Sequence, residues 1–300
     1  MAAAPRPVSF GLSVVPLAAE HRQIVAQVLA AERGGLEWVG IQDHPYQRRF
    51  LDTFALIADL AARTSTLRFF PDVASLPMRG PTAIAKLAAS LDVMSGGRFE
   101  LGIGAGGFWD AVAGMGGPRR TAPESFDALE EAIPIIRAAL DVGPEKRVVR
   151  APGPHYPIPG YPAGPPPAHR VEIWVGAYRP RGMRVIGRMA DGWVPSIGYT
   201  DLSGLKDAAA RLEAAARDAG RDPATIRRVV NVGGAITEGP IGDGAFSGPV
   251  DRWVETLAAW TMELQIDIVV YWPSETGTRE VDRFAAEVAP AVREGLAIPA

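Results

Sequence analysis

Residues 67–103 read LRFFPDVASLPMRGPTAIAKLAASLDVMSGGRFELGI and contain the pattern that decides the fold. A short run rich in aromatic and branched apolar residues, Leu67–Val73, precedes a window with helical apolar spacing, Ala83–Met94. A second apolar run, Arg98–Ile103, follows that window. The spacing predicts a helix between two strands, and nearly continuous apolar runs are typical of parallel strands buried on both faces.

The same alternation extends over the whole chain, in which each strand-like run is followed by a helical window. The strand-like runs are Val8–Val15, Leu36–Gln42, Leu67–Val73, Arg98–Ile103, Val171–Val175, Gly192–Pro195, Ile226–Val232 and Ile266–Tyr271. Eight β/α units in 300 residues predict an α/β protein with one (β/α)8 TIM-barrel domain over residues 1–300, of which residues 1–6 are expected to be flexible. A doubly wound open sheet of six or seven strands is the alternative.

Composition excludes several classes of function. The net charge of −3 argues against a nucleic-acid surface, which needs clustered Lys and Arg. The chain has no cysteine, so disulfides, thiolate metal sites and a cysteine nucleophile are excluded. No run approaches 18 apolar residues and the start, MAAAPRPV, lacks the apolar segment of a signal peptide, so we expect a cytoplasmic protein without a membrane span.

One segment interrupts the β/α alternation after the fourth unit. Between Val142 and Arg170 the sequence contains nine prolines, which are incompatible with helix interiors and central strands. We therefore predict an insertion loop over residues 143–170, with a short hairpin near Val148–Tyr156. Long loops in compact domains are often functional, and this loop is expected either to cover the barrel mouth or to act only as a connector.

Candidate reactive residues are those directly after each strand, because barrel enzymes place their chemistry at the carboxyl ends of the strands. After the second strand, His44 can donate or accept a proton near neutral pH, unless it is only a solvated loop histidine. Its neighbour Asp43 is expected either to orient the imidazole or to cap the next turn, and we also count it among the residues that bind a cofactor. After the third strand, Asp72 either makes a structural hydrogen bond or faces a ligand.

Glycines follow the fourth strand. Gly102, Gly104 and Gly107 match the dinucleotide-binding pattern G-x-G-x-x-G, and Glu124 lies at about the distance expected for its acidic residue. However, a Gly pair and prolines follow where that pattern requires a helix to begin. The segment Gly104, Ala105, Gly106 and Gly107 is better suited to let the backbone approach a flat ring closely. We expect an apolar or aromatic substrate side, built from Trp109, Tyr156, the insertion loop and the end of the eighth strand near Trp272. Asp110 is also expected to line this pocket.

After the fifth strand, small residues precede a helix. Gly176, Ala177, Tyr178 and Arg179 would expose backbone N–H groups at a helix N-terminus, which is a ready phosphate cradle. The alternative is a solvated basic turn. The four histidines lack metal-ligand spacing and no G-x-S-x-G is present, so we predict neither a metal site nor a serine hydrolase.

Four blocks in the same order resemble the bacterial luciferase-like flavin oxidoreductases, the LLM class of flavin- or F420-dependent enzymes. The most specific block is SLPMRGPTAIAKLAASLDVMSGGRFELGIGAG, at residues 75–106. The others are DHPYQRRFLDTFALIADLAART at 43–64, IWVGAYRPRGMRVIGRMADGW at 173–193 and FSGPVDRWVETLAAWTMELQID at 246–267.

The resemblance implies a (β/α)8 barrel with a ring-binding pocket at the carboxyl ends of the strands. It implies a non-proline cis peptide between Asp72 and Val73 that supports the middle of the ring, and a phosphate at Gly176–Ala177. It also implies that the loop Gly104–Gly107 contacts the ring or its ribityl chain and that His44 lies near the redox face.

The resemblance further implies an oxidoreductase. The G-I-G-A-G form and the Asp43-His44 pair are more similar to the branch that uses coenzyme F420, while FMN is the alternative cofactor. The expected reaction is F420-dependent hydride transfer to or from a small organic substrate. Related sugar-phosphate dehydrogenases carry a Glu where this chain has Gly107, which argues against that substrate.

Two alternatives remain within the family. One is an FMN-dependent two-component monooxygenase supplied by a separate flavin or deazaflavin reductase, and the other is a non-catalytic flavin-binding protein. A barrel that binds no flavin is a further alternative. Most members of the family are dimers, so a homodimer is expected.

Overall fold

The computed structural model describes residues 7–143, 148–239 and 246–297, so the predicted flexible segment 1–6 lies outside the described residues. Within them, nine parallel strand segments form one sheet. They are β1 Ser9–Val14, β2 Trp38–Ile41, β3 Arg68–Pro71, β4 Ala74–Ser75, β5 Leu101–Gly104, β8 Ile173–Gly176, β9 Gly192–Trp193, β10 Arg227–Gly234 and β11 Ile268–Pro273. Two further strands, β6 Val148–Ala151 and β7 Ile158–Pro162, form a separate hairpin.

The sheet closes on itself at the third predicted strand, which is divided into β3 and β4. The strand order is β3-β2-β1-β11-β10-β9-β8-β5-β4. The amide of Phe69 donates to the carbonyl of Arg98 at 2.8 Å, and the amide of Glu100 donates to the carbonyl of Phe69 at 2.9 Å. These bonds join the two edges, so the predicted barrel is confirmed in preference to the open sheet.

Helices surround the barrel. They are α1 His21–Arg33, α2 Thr53–Arg63, α3 Leu76–Arg79, α4 Pro81–Ser95, α5 Trp109–Gly114, α6 Ala122–Leu140, α7 Pro180–Met189, α8 Leu202–Asp218, α9 Val250–Leu264, α10 Arg279–Arg283 and α11 Ala289–Ala297. Thr121 and Glu124 form a capping box at the start of α6, so Glu124 stabilises a helix N-terminus. In the described part of the chain, no helix has the length and apolarity needed to cross a bilayer.

The proline-rich segment contains the predicted hairpin, although its second strand lies beyond the predicted limit at Tyr156. Strand β6, Val148–Ala151, pairs antiparallel with β7, Ile158–Pro162. The carboxylate of Glu131 on α6 accepts hydrogen bonds from the amides of His155 at 3.0 Å and Tyr156 at 2.6 Å. The hairpin is therefore tied to the helical layer at α6.

The barrel interior changes character along its axis. The rings of Trp38, Phe70 and Trp174 contact one another, with centroids 5.1–6.4 Å apart. They fill the part of the barrel interior that lies away from the carboxyl ends of the strands. Because side chains alternate along a strand, Asp72 lies on the same interior side as Phe70 and one layer nearer the carboxyl end. The aromatic layer therefore forms the floor of a space that opens only toward the carboxyl ends of the strands.

The opposite end of the barrel carries a network of charged groups. His169 contacts Asp92 through Nδ1 at 2.8 Å and Glu100 through Nε2 at 2.9 Å, and Arg68 also binds Glu100. The hydrogen bond to Glu100 is the main cause that raises the pKa of His169. Each of these groups has a hydrogen-bonding partner within the network, so this network serves to hold strand ends and loops together.

Candidate active site

The end of β2 is fixed by a buried carboxylate. Oδ2 of Asp43 accepts a hydrogen bond from the amide of Ser75 at 2.8 Å, and Oδ1 accepts one from Nη2 of Arg79 at 2.8 Å. Arg79 also binds Asp52, the N-cap residue of α2, at 2.8 Å. Both oxygens of Asp43 are thus engaged in a clamp between β2 and α3, which fixes the backbone that carries the next residue, His44.

His44 is half-buried among aromatic rings. Its Nδ1 lies 2.8 Å from the hydroxyl of Tyr46, and its ring centroid lies 6.3 Å from that of Phe50 and 5.8 Å from that of Phe108. Burial lowers the pKa of His44, opposed only by the charge of Asp43, so the imidazole is neutral at pH 7. Among the described residues no hydrogen-bond partner faces Nε2, which leaves this nitrogen available to a substrate.

The hydroxyl of Tyr46 stays protonated at neutral pH. Burial is the main cause that raises the pKa of Tyr46 to about 12, with a smaller contribution from the charge of Asp43. A neutral phenol can either donate to Nδ1 of His44 or accept from it. The contact therefore holds the imidazole plane without adding a charge beside it.

The peptide bond between Asp72 and Val73 is cis, as the resemblance implied. The Asp72 carboxylate accepts a hydrogen bond from Nδ2 of Asn231 at 3.1 Å, and the same nitrogen donates to Oγ of Ser196 at 3.1 Å. The hydroxyl of Tyr178 accepts from the amide of Ser196 at 2.7 Å. We call Asp72, Tyr178, Ser196 and Asn231 the polar cluster of the barrel mouth.

Two groups in the polar cluster lack full hydrogen bonding. Asp72 keeps some surface that is accessible to solvent, although protein atoms surround its carboxyl group. This burial raises the pKa of Asp72 to about 6. Oδ1 of Asn231 is buried and has no hydrogen-bond partner within the described part of the chain. No charge of opposite sign contributes to the pKa shift of Asp72, so the carboxyl group meets only neutral polar atoms.

Val73 is held by glycines from two neighbouring strands. A Cβ added at Gly104 would lie 2.9 Å from Cγ2 of Val73, and one added at Gly176 would lie 3.1 Å from the same atom. A Cβ at Gly102 would lie 2.2 Å from the carbonyl oxygen of Pro71. These three glycines therefore make room for the irregular backbone and the side chain that follow β3.

This packing predicts that Gly102→Ala destabilises the protein, because the new methyl group collides with rigid backbone. We expect the free energy of unfolding to fall by about 1–3 kcal/mol. Gly107→Ala is the matched control in the same segment, since a Cβ there meets no atom within 4 Å. Its effect should stay within about 0.5 kcal/mol. Urea denaturation measures both, and equal stability of the two variants would contradict the packing account.

The four residues predicted for the substrate side do not form one cluster. A Cβ at Gly106 would meet the Trp109 ring at 2.9 Å and Pro77 at 2.7 Å, so this indole packs against the loop itself. Asp110 is 92% exposed and binds Arg119. The hydroxyl of Tyr156 accepts from Arg120 at 3.0 Å. Of the four, only Trp272 lies on the interior side of the barrel strands. It follows Val270, an interior residue of β11, by two positions, and alternate residues of a strand face the same side.

The sequence prediction missed Phe108, which contacts His44 in place of its neighbour Trp109. Its ring meets His44 edge-on at 5.8 Å and lies 5.8 Å from the ring of Tyr46. Phe108 has a left-handed backbone conformation, with φ of 52°, and it is the N-cap residue of α5. Nothing in the sequence distinguishes two adjacent aromatic residues, because the backbone conformation of the loop decides which one faces the histidine.

The start of α7 carries an exposed arginine. Arg179 is the N-cap residue and is exposed, whereas Arg181 binds Asp127 and the carbonyl oxygen of Pro123. Ala177 is buried, and its carbonyl accepts a hydrogen bond from the indole of Trp193 at 2.8 Å. An anion at this helix start would therefore meet backbone N–H groups and Arg179.

Residues 8–240 match the family model for luciferase-like monooxygenases. The chain belongs to this family. An uncharacterized protein of Mycobacterium tuberculosis is 30% identical over 239 residues, which is 80% of this chain and 77% of that protein. The phthiodiolone/phenolphthiodiolone dimycocerosates ketoreductase of the same species is 34% identical over 172 residues, covering 54% of this chain and 41% of the ketoreductase.

A solved structure supports the luciferase-like fold. The coenzyme F420 dependent tetrahydromethanopterin reductase from Methanopyrus kandleri has a TM-score of 0.81 to this chain at 19% identity. The match covers 94% of this chain and 99% of that one. At this identity the likeness shows the fold alone.

Proposed function

We propose that this luciferase-like protein is an oxidoreductase that binds coenzyme F420 at the barrel mouth and moves hydride between it and a small organic substrate. The observation that carries the proposal is His44, whose Nε2 is available beside the strand ends that hold the cis peptide Asp72–Val73. The clamp from Asp43 to Ser75 fixes β2 to the segment that follows this peptide. We also propose a single domain over residues 1–300 that works in the cytoplasm as a homodimer.

The residues at the mouth fit a tricyclic cofactor with a phosphate. Val73 supplies a half-buried apolar surface for the ring, and the polar cluster supplies hydrogen-bonding groups with unused capacity at Asp72 and Asn231. The backbone of Gly104–Gly107 would border the ring or its chain. The start of α7, at Gly176, Ala177, Tyr178 and Arg179, would hold the phosphate.

The chain's own part in the reaction is to handle a proton. F420, when bound, accepts or supplies a hydride. In alcohol oxidation, Nε2 of His44 would take the proton of the hydroxyl oxygen while the carbon that carries this oxygen gives up a hydride, so that a neutral carbonyl compound remains. In ketone reduction His44 returns the proton. A neutral imidazole in an apolar surrounding is suited to the acceptor role.

The alternative is an FMN-dependent monooxygenase that receives reduced flavin from a separate reductase. The description of the matching family as luciferase-like monooxygenases favours this alternative. The ketoreductase relative favours carbonyl chemistry instead, and a neutral proton-accepting histidine agrees with carbonyl chemistry. Oxygen consumption with reduced FMN separates the two.

The proposal is tested by turnover of the purified protein with F420 and secondary alcohols, and with reduced F420 and ketones. We expect the deazaflavin absorbance to fall with alcohols and to return with ketones. Oxygen uptake with reduced FMN, together with no turnover of F420 in either direction, would establish the alternative. Binding of F420 without turnover of any substrate would indicate a non-catalytic binding protein.

Arg179→Glu is expected to weaken F420 binding about tenfold, because it replaces an attractive charge beside the phosphate by a repulsive one. The effect should shrink at high salt, since Arg179 is exposed. Arg188→Glu is the control, because Arg188 is also an exposed residue of α7 but lies near its other end. Fluorescence titration gives both dissociation constants, and equal constants would contradict this phosphate assignment.

A further inference from the structure

Phe108 combines two features that structural packing does not explain. Its φ of 52° lies in the left-handed region, which a bulky aromatic residue rarely adopts. The residue is 67% exposed, so burial gives little stabilisation in return. A residue that keeps an unfavourable backbone conformation in order to expose an aromatic ring is a candidate for a binding role.

The backbone around Phe108 is fixed. Its carbonyl accepts hydrogen bonds from the amides of Ala111 at 2.9 Å and Val112 at 3.1 Å, at the start of α5. Val112 is fully buried, and Trp109 packs against Gly106 on the other side. The ring of Phe108 is therefore presented by a rigid turn.

The ring faces the reactive histidine and other aromatic groups. Phe108 lies 5.8 Å from His44 and 5.8 Å from Tyr46, and Phe50 lies 6.3 Å from His44. Among the described residues, the carboxylate whose charge acts on His44, that of Asp43, is engaged by Arg79 and Ser75. The surroundings of Nε2 thus contain aromatic surface and no uncompensated charge within the described residues.

We propose that Phe108, together with Tyr46 and Phe50, binds the apolar group attached to the reacting carbon of the substrate. The enzyme then prefers alcohols and ketones that carry an aryl or long alkyl group over small or charged ones. This inference rests on the proposed function of His44. Phe108 acts as the specificity-determining residue, since it is the most exposed of the three rings.

The test compares 2-propanol, 2-hexanol and 1-phenylethanol as substrates for wild type, Phe108→Ala and the control Met262→Ala, each loaded with F420. Met262 is an equally exposed apolar residue, near the end of α9. In wild type we expect kcat/KM to rise about fourfold per added methylene and to be highest for 1-phenylethanol. Phe108→Ala should lower kcat/KM for 1-phenylethanol about 10- to 50-fold and for 2-propanol less than threefold. Met262→Ala should keep the wild-type order.

A second measurement does not depend on turnover. The imidazole resonances of His44 are followed by NMR while 1-phenylethanol is added to the full chain without cofactor. We expect a saturable shift in wild type and none in Phe108→Ala. Phe108→Gly should have the same effect on binding without lowering the midpoint of denaturation, because glycine adopts the left-handed conformation freely.

Three outcomes would overturn the inference: an equal loss for all three alcohols, no loss for any, or the same imidazole shift in Phe108→Ala as in wild type. Failure of the proposed function is recognised separately, because it appears as absent F420 turnover in wild type. In that case the NMR titration still decides whether Phe108 binds the apolar probe.

Discussion

The His44→Ala variant is expected to oxidise alcohols about 10²- to 10⁴-fold more slowly than wild type, the range that a general base contributes. Its dissociation constant for F420 should remain within about threefold of the wild-type value, because Nδ1 of His44 contacts Tyr46 and the imidazole is assigned no part in holding the cofactor. Steady-state kcat and fluorescence titration of F420 measure the two quantities. A loss of binding that parallels the loss of kcat would assign His44 a structural role.

The pH dependence of the same reaction supplies a second check on His44. Since burial lowers the pKa of His44 below its ordinary 6.5, alcohol oxidation should lose rate only as the pH falls below 6.5. The acid limb should be absent from the residual activity of His44→Ala. His155→Ala is the control, since the described hydrogen bond of His155 uses its backbone amide, and it should leave both kcat and the acid limb unchanged.

Asp72→Asn is expected to stabilise the protein at pH 8 by up to about 3 kcal/mol, because each unit of pKa shift corresponds to about 1.4 kcal/mol. Burial raises the pKa of Asp72 from 3.8 to about 6. The folded state therefore holds the proton more tightly than the unfolded state, and wild-type stability declines as pH rises from about 3.8 through about 6. Above that range the folded protein contains a charge that asparagine lacks.

Denaturant unfolding at pH 4, 6 and 8 measures this effect. The difference between Asp72→Asn and wild type should be small at pH 4 and grow with pH. Asp110→Asn, the same substitution at a carboxyl group that is 92% exposed, should show no such trend. A variant that is less stable than wild type at pH 8 would mean that the ionised Asp72 is stabilised in the folded protein.

The barrel was predictable because its signal is local and repeated. Each strand, such as Ile268–Pro273, is apolar on both faces, and each helix carries one apolar stripe, so both periods are visible in the sequence. The division of the third strand was not visible in this way. Only the family resemblance located the cis peptide between Asp72 and Val73.

The partners of the candidate residues were less predictable, because long-range contacts decide them. The sequence left several roles open for Asp43, and the structure adds another, the clamp to Arg79, 36 residues away. The sequence did not decide whether Asp72 makes a structural hydrogen bond or faces a ligand. In the structure Asp72 accepts a hydrogen bond from Asn231, 159 residues away, and also keeps a partly accessible surface. Contacts between residues so far apart produce no periodic pattern in the sequence from which they could be predicted.

The central claim is that the barrel mouth binds coenzyme F420, and titration of the purified protein with F420 and FMN in separate experiments tests it most directly. We predict quenching of deazaflavin fluorescence with a dissociation constant in the micromolar range or below, at least tenfold tighter than that of FMN. Tighter binding of FMN, or no binding of F420 in the micromolar range, would contradict the claim.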